Sequence, residues 1–479
     1  MPAHRYSRRE LLRASGAALT ATALAACQPK VVEVEKVVTQ VVEKEVIVAG
    51  TPQVVKETVV VEKEVTPVAA PKEAVTLTFH HIDAANYGAF TDYFNKTFVE
   101  PRYPNIKTKP AFFPGWTEYL PKIMTMAASG TIGDIIFSFT PNWLATMVAK
   151  EVFCNHDDLA AAANFDFSPY FPAGIQACTM RGHLRSLPWH AHAGHTSHVM
   201  NLSLFAEAGV EPMPTDQPYE WDIEREVEWG KAITREEGGK TTVYGRTLST
   251  GYDHLLAMCQ SFGGAILSED GQTVRLGEPE SRAAMKWIYD RAATHKYAPT
   301  AANIEGNERQ MFVSGKLGVY QVVASHVPAM LLEVGDRFEM GTAVHPTGPG
   351  GVAGSIFCVN TLGITNNCKH KSEAWDALAM HCGHDAGVQK VLYGAGSPGG
   401  RYDCFEDPEI IKRFAPAALL QYQMDHPHPD PLPANWRCDE FRAALTQNMD
   451  EVWLGNIGVD EGIDKTVAAL NDVLKLEAL

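Results

Sequence analysis

From Val75 onward the chain switches repeatedly between two hydrophobic periods. Val75-Thr76-Leu77-Thr78-Phe79 puts apolar residues at every second position, which predicts a half-buried strand. Trp116 to Ala128 carries Tyr119, Ile123 and Met126 on one face and stops at Gly130, which predicts a helix. The short apolar run Asp134-Ile135-Ile136-Phe137 suits a buried parallel strand. Ser372 is placed to N-cap a helix burying Trp375, Leu378 and Cys382. Ile463, Val467, Leu470 and Leu474 predict an amphipathic final helix. Strands alternating with helices over this length indicate α/β layers with parallel or mixed sheets. In such sheets ligands sit beyond the carboxyl ends of the strands. About 400 residues lie between Val75 and Leu479, more than one core usually serves, so two domains are expected.

The first 74 residues follow neither pattern. Ser7-Arg8-Arg9-Glu10-Leu11-Leu12-Arg13 precedes a mildly apolar run from Ala14 to Ala26, too short for the roughly 20 residues that span a bilayer. A basic segment, an apolar segment and small residues before a cleavage point describe an export signal over residues 1–26. It resembles a twin-arginine signal, with Leu11 and Arg13 where Phe and Lys are commoner; a Sec signal with incidental arginines is the alternative. Leu24-Ala25-Ala26-Cys27 resembles a bacterial lipobox, which implies a lipidated Cys27 anchoring the protein to the membrane outside the cytoplasm. Each buried methylene of such an anchor contributes about 0.8 kcal/mol. Residues 31–65 are almost wholly Val, Glu, Lys and Thr, with Val-Val-Glu-Lys-Glu-Val at 41 and again at 60. So little varied apolar surface predicts a low-complexity stalk over 27–74, roughly 40 Å long as a flexible coil.

Charge narrows the partners. The chain carries a net −16; four Arg and one Glu before Cys27 account for +3, leaving about −19 on the mature protein. Such a surface is a poor match for nucleic acid. Apart from Cys27 there are eight scattered cysteines with no C-x-x-C pair, and disulfides and free buried thiols both remain open.

A set of ordered pieces then makes a family recognisable. They are Tyr119-Leu-Pro-Lys-Ile-Met-Thr-Met-Ala-Ala-Ser-Gly130 before Gly133-Asp134, Leu187-Pro188, and Asn201-Leu-Ser-Leu-Phe-Ala-Glu-Ala-Gly209. Phe262-Gly-Gly-Ala-Ile-Leu, Phe312-Val-Ser-Gly-Lys316, His345-Pro346, Glu373-Ala-Trp375 and Val452-Trp-Leu-Gly455 follow. In this order and spacing the chain resembles the extracellular solute-binding proteins of the sugar-binding, maltose-binding-protein-like class that serve ABC importers. The resemblance implies an α/β fold of two lobes with a ligand cleft between them and multiple interlobe crossings. Mapped by motif order, the first lobe holds 75–187 plus 360–402 and the second 188–359 plus 403–479. It also implies a monomer that captures a small molecule, a carbohydrate or related polyol, and delivers it to permease subunits without catalysis, cofactor or resident metal.

Cleft candidates are the strand ends: His80, His81 and Asp83; Ser138 and Phe139; Trp189 and His190 at the first crossing; Gln321 and Ser325; and Ser355 at the last crossing. Trp116 and Trp436 are further aromatic candidates. Sugar sites combine flat apolar faces with hydrogen-bonding groups; Trp189 and Trp436 would supply the faces, Trp189 foremost, with ordinary core packing the alternative for either. Ser138, Pro141 and Asn142 stand where maltodextrin binders carry Trp, Asp and Arg, which argues against maltose itself. His190, His192, His195 and His198 crowd one short segment. An exported metal-binding protein would need three or four of them to converge on one ion. A carbohydrate-active enzyme would need two carboxylates across a cleft. No nucleophile elbow, H-E-x-x-H or dinucleotide fingerprint is visible.

Overall fold

The computed structural model describes residues 38–48, 51–61, 73–83, 86–139, 142–194, 197–215, 223–345, 347–413, 428 and 430–479. The export signal and Cys27 lie outside the described residues. The chain forms two units, Met1–Ala74 and Val75–Leu479.

In the first unit, Val38–Val48 and Thr51–Val61 pair antiparallel, from Val38 opposite Val61 to Val48 opposite Thr51. The expected coil stalk therefore contains a two-stranded ribbon. Dense β-branched residues favour the extended backbone even where no varied core is available.

The second unit is built on two five-stranded sheets, one in each lobe. The first has the order Ile106–Pro114, Val75–Asp83, Ile135–Phe139, Phe357–Ile364, Leu187–Ala193. Val75–Asp83 runs parallel to both neighbours, whereas Phe357–Ile364 is antiparallel to both of its own. The second has the order Arg235–Glu237, Lys240–Arg246, Leu317–Val322, Ser197–Asn201, Met340–Val344. The predicted strands at Val75 and Ile135 and the helix Trp116–Ala128 form as expected.

Helices cover both faces of each sheet. Leu77, Phe79, Ile135 and Phe137 are buried in the first core with Phe90, Phe94 and Trp375. In the second sheet, Val199 and Met200, adjacent on one strand, enter separate clusters on opposite faces. Period-2 alternation makes this unavoidable when both faces are covered. The last helix, Val459–Leu474, buries Ile463 and Leu470 against Pro279–Ala293 and Cys438–Trp453.

Two sequence expectations shift. The helix at Ser372 spans Lys371–His381, with His370 at its N-cap and no side-chain cap bond, so Ser372 lies inside the first turn. Leu187–Ala193 belongs wholly to the first sheet, and the chain passes to the second between Ala193 and Ser197, returning between Val344 and Phe357. The motif Leu187-Pro188 thus marks the start of the strand that leads to the crossing, and the crossing itself follows it.

Candidate functional site

Strand direction fixes where a ligand can sit. In the first sheet the carboxyl ends Asp83, Pro114, Phe139 and Ala193 emerge at one edge; in the second, Arg246, Val322 and Val344 do the same. Both crossings join these two edges, so they face one another across the seam between lobes. Phe139 packs on a cluster that includes Tyr252, Leu255 and Phe441, while Ala324 is buried with Phe171, Ala191 and Val388.

The first-lobe edge carries an aromatic wall. Gly115, at φ 73°, turns the chain out of Ile106–Pro114 and into the helix headed by Trp116. Trp116 keeps 43% of its surface exposed. Its ring lies 5.7 Å from Trp143, 6.0 Å from Phe137, 6.2 Å from Phe139 and 6.4 Å from Tyr87, centroid to centroid. Asp83, exposed, ends the neighbouring strand. An open indole face fixed by four rings, with a carboxylate at the end of the adjacent strand, can hold a C–H surface and its hydroxyls.

The other first-lobe candidates sit deeper. The Gly133 amide donates to His80 Nδ1 at 3.1 Å, and burial pulls this imidazole down to about 4. His81 Nδ1 lies 3.0 Å from the Ile82 carbonyl, with its ring 4.7 Å from Phe137 and from Trp189; burial, then the nearby Lys390, holds it at about 3. Ser138 is fully buried. Trp189, expected to stack on ligand, is 0% exposed. Its ring meets Tyr87 at 5.1 Å and His190 at 5.4 Å, and the Lys390 ammonium lies 4.1 Å from its centroid. Lys390 also donates to the Trp189 carbonyl. With its faces occupied, Trp189 is a core residue in this conformation. His190 Nε2 lies 3.0 Å from Asn360 Nδ2.

The second lobe presents a buried polar cluster at its edge. Arg246 donates to Glu226 at 2.7 Å, and Arg291 and the Tyr297 hydroxyl each donate to Glu226 at 2.9 Å. Arg246 also reaches Gln321 at 3.3 Å. Burial alone would raise the Glu226 carboxyl, but the two guanidiniums outweigh it and hold it below the usual carboxylate range. Ser325 lies in the short turn Ala324–His326. The Ser355 amide donates to Gln260 at 3.1 Å and its carbonyl accepts from the His428 amide at 3.0 Å. Trp436, at φ 63°, is half-buried, and the Arg181 guanidinium lies 4.9 Å over its ring. Arg181 in turn donates to the carbonyl of Leu479, which places Trp436 beside the C-terminus.

Trp143, Tyr87, Arg246 and Glu226 were not among the sequence candidates. Arg246, which closes the run Thr241-Thr242-Val243-Tyr244-Gly245, was signalled by a charge at a strand's carboxyl end. Glu226 had no such mark. Arg442 donates to Asp253 and lies 3.9 Å over the Tyr252 ring. Burial pushes the nearby Asp430 carboxyl up to about 7, with Arg442 drawing it back and Asp253 adding to the rise. Among the described residues all eight cysteines are free and buried, no group of three or more His, Cys, Asp or Glu is placed to hold a metal ion, and no helix is long and apolar enough to cross a membrane. His195 lies outside the described residues.

Two α/β lobes joined by repeated crossings, with their strand ends facing across a seam, define a two-lobed binding protein. The chain belongs to the bacterial extracellular solute-binding protein family, whose model matches residues 92–415. A Brucella abortus protein described as a binding protein is 26% identical over 300 residues, covering 62% of this chain and 69% of its own length. An ABC substrate-binding protein from Listeria monocytogenes in complex with cycloalternan superposes with a TM-score of 0.73 at 17% identity, covering 85% of this chain and 100% of that one. Maltose-bound MalE3 of T. maritima gives a TM-score of 0.69 at 20% identity, covering 84% and 100%.

Proposed function

We propose that the protein captures a carbohydrate or related polyol outside the cytoplasmic membrane and delivers it to an ABC import permease, leaving the ligand chemically unchanged. The observation that carries this reading is Trp116, an exposed indole held by Tyr87, Phe137, Phe139 and Trp143 at the strand ends beside Asp83. Sugars offer such a platform flat C–H faces together with hydroxyls for Asp83 and for the polar groups of the opposite edge. Support also comes from the relatives in this fold that hold cycloalternan and maltose. Export as a lipoprotein through Cys27, and action as a monomer, complete the reading.

Isothermal titration of the wild type and Trp116→Ala with a carbohydrate found to bind is the test. Loss of a stacking face weakens binding by about 1–3 kcal/mol, with a smaller fall in melting temperature than a fully buried aromatic would show, because 43% of the residue is exposed. Equal affinity in the variant contradicts Trp116 as the platform. Ligand recovered in altered form contradicts the absence of chemistry.

A further inference from the structure

Every cysteine after Cys27 is sequestered. Cys178, Cys259, Cys382 and Cys404 are 0% exposed, and Cys154, the most accessible of the eight, is 5% exposed. Among the described residues all eight are free thiols. Burial pushes Cys178, Cys259, Cys368, Cys404 and Cys438 up to about 12. Thiolates, not thiols, attack disulfides, so packing and protonation both shield these groups.

The unfolded chain has no such protection. Its two shortest cysteine spacings are Cys358 to Cys368 and Cys368 to Cys382, 10 and 14 residues, and short loops close most readily. The fold holds both pairs apart. Cys358 lies at the start of the strand Phe357–Ile364, and Cys368 follows its end, where its amide donates to the Thr365 carbonyl at 3.2 Å. The strand from Cys358 to Ile364 separates the two by roughly 20 Å. The helix Lys371–His381, about 16 Å long, stands between Cys368 and Cys382. A disulfide needs Cα atoms within about 7 Å, so either link excludes the native strand or helix. Cys358 also belongs to a different core from Cys368 and Cys382.

The same chain carries an export signal whose paired Arg8 and Arg9 resemble the twin-arginine type. That route carries folded proteins, whereas the Sec route threads an unfolded chain. Outside the cytoplasm thiols are open to oxidation. We propose that the signal and the buried thiols act together: the chain folds before export, which closes all eight thiols inside the protein before they meet an oxidant. In a chain threaded unfolded, two thiols would each lose a proton and together pass two electrons to the disulfide of a thiol oxidase. The oxidase would leave as a dithiol, and one non-native S–S bond would remain in the chain. Folding before export rests on the exported reading of the chain and not on the ligand it binds.

The test expresses the full precursor in a bacterium that has both export routes and an envelope thiol oxidase. It is made with its own signal, with Arg8→Lys and Arg9→Lys together, and with a Sec lipoprotein signal in place of residues 1–26, which keeps Cys27. A maleimide tag traps free thiols on the exported chain, native or in denaturant, and peptide mass spectrometry counts the tagged cysteines other than Cys27. The own-signal chain should carry eight tags when denatured and none when native. The double Lys variant should accumulate as precursor in the cytoplasm. The Sec-exported chain should carry six tags or fewer, two lost per disulfide, and return to eight in a host lacking the oxidase. Undiminished export of the double Lys variant overturns the proposal, as does an own-signal chain with fewer than eight thiols or a Sec-exported chain with all eight in the oxidase-bearing host. A Sec-exported chain equally poor in thiols, or equally scarce, in both hosts also overturns it. Each of these results leaves carbohydrate capture standing, whereas an own-signal chain that never leaves the cytoplasm removes the exported reading as well.

Discussion

Trp189→Ala distinguishes core from ligand platform at the residue where sequence and structure differ most. The wild-type ring is 0% exposed and touches Tyr87, His81, Phe137 and His190, with the Lys390 ammonium over its face. Truncating a buried aromatic to Ala typically costs about 3–5 kcal/mol, from lost burial and from the cavity left behind. Loss of the Lys390 contact adds to this, because a cation over a desolvated ring contributes about 2 kcal/mol. Unfolding entropy of about 2.1 cal/mol/K per residue over about 400 residues is roughly 0.85 kcal/mol/K, so 3–5 kcal/mol lowers Tm by about 4–6 °C. If the lobes melt separately, the loss falls on the first-lobe transition and the shift is larger. Scanning calorimetry reads it, and titration at 20 °C on the still-folded variant reads affinity. A Tm within about 1 °C of wild type with ligand binding reduced by about 1–3 kcal/mol would refute the core assignment and restore the stacking role.

Three further outcomes follow from the buried charges. Glu226→Gln leaves Arg246 and Arg291 buried without their counter-charge and should destabilise the second lobe by about 3–5 kcal/mol in urea melts; a change under about 1 kcal/mol contradicts the network's role. Burial lowers the Lys390 amine to about 7, so the unfolded chain binds more protons between pH 7 and about 10.5 and wild-type stability should rise with pH there relative to Lys390→Met. A flat wild-type-minus-variant difference across that range would sink this assignment. Asp430, raised to about 7, is protonated in the fold over a range where the unfolded chain is ionised. Stability should therefore fall as pH rises from about 4 to 7, and Asp430→Asn should melt higher than wild type at pH 8 but match it near pH 4.

Local pattern and motif order carried most of the fold. The strand at Val75, the run at Ile135 and the helix Trp116–Ala128 are each set by side chains spaced within one element. The candidate site was legible where exposure follows from position, as at Trp116 and Asp83. It was not legible where distant residues decide. Trp189, next to Pro188 and His190 at the expected crossing, reads as an apolar face open to the cleft, yet Tyr87, Phe137 and Lys390, the last 201 residues away, enclose it. His80 follows an apolar alternation and looks like a strand-end donor, but helices on both faces of the sheet cover it. The Glu226 cluster gathers residues from four separate segments, and nothing in any one of them marks the others. Ser372 shows the limit of cap rules, since the helix starts one residue earlier without it.

A thermal-shift screen of the mature chain against mono- and oligosaccharides, polyols, amino acids, short peptides and divalent metals tests the central claim most directly. A ligand that binds only the native state at 100 times its Kd stabilises by about 2.7 kcal/mol. The account predicts that at least one carbohydrate or polyol raises Tm, that Trp116→Ala removes most of the rise, and that mass spectrometry recovers the ligand unaltered. A rise with metals, peptides or amino acids and with no carbohydrate or polyol would contradict it.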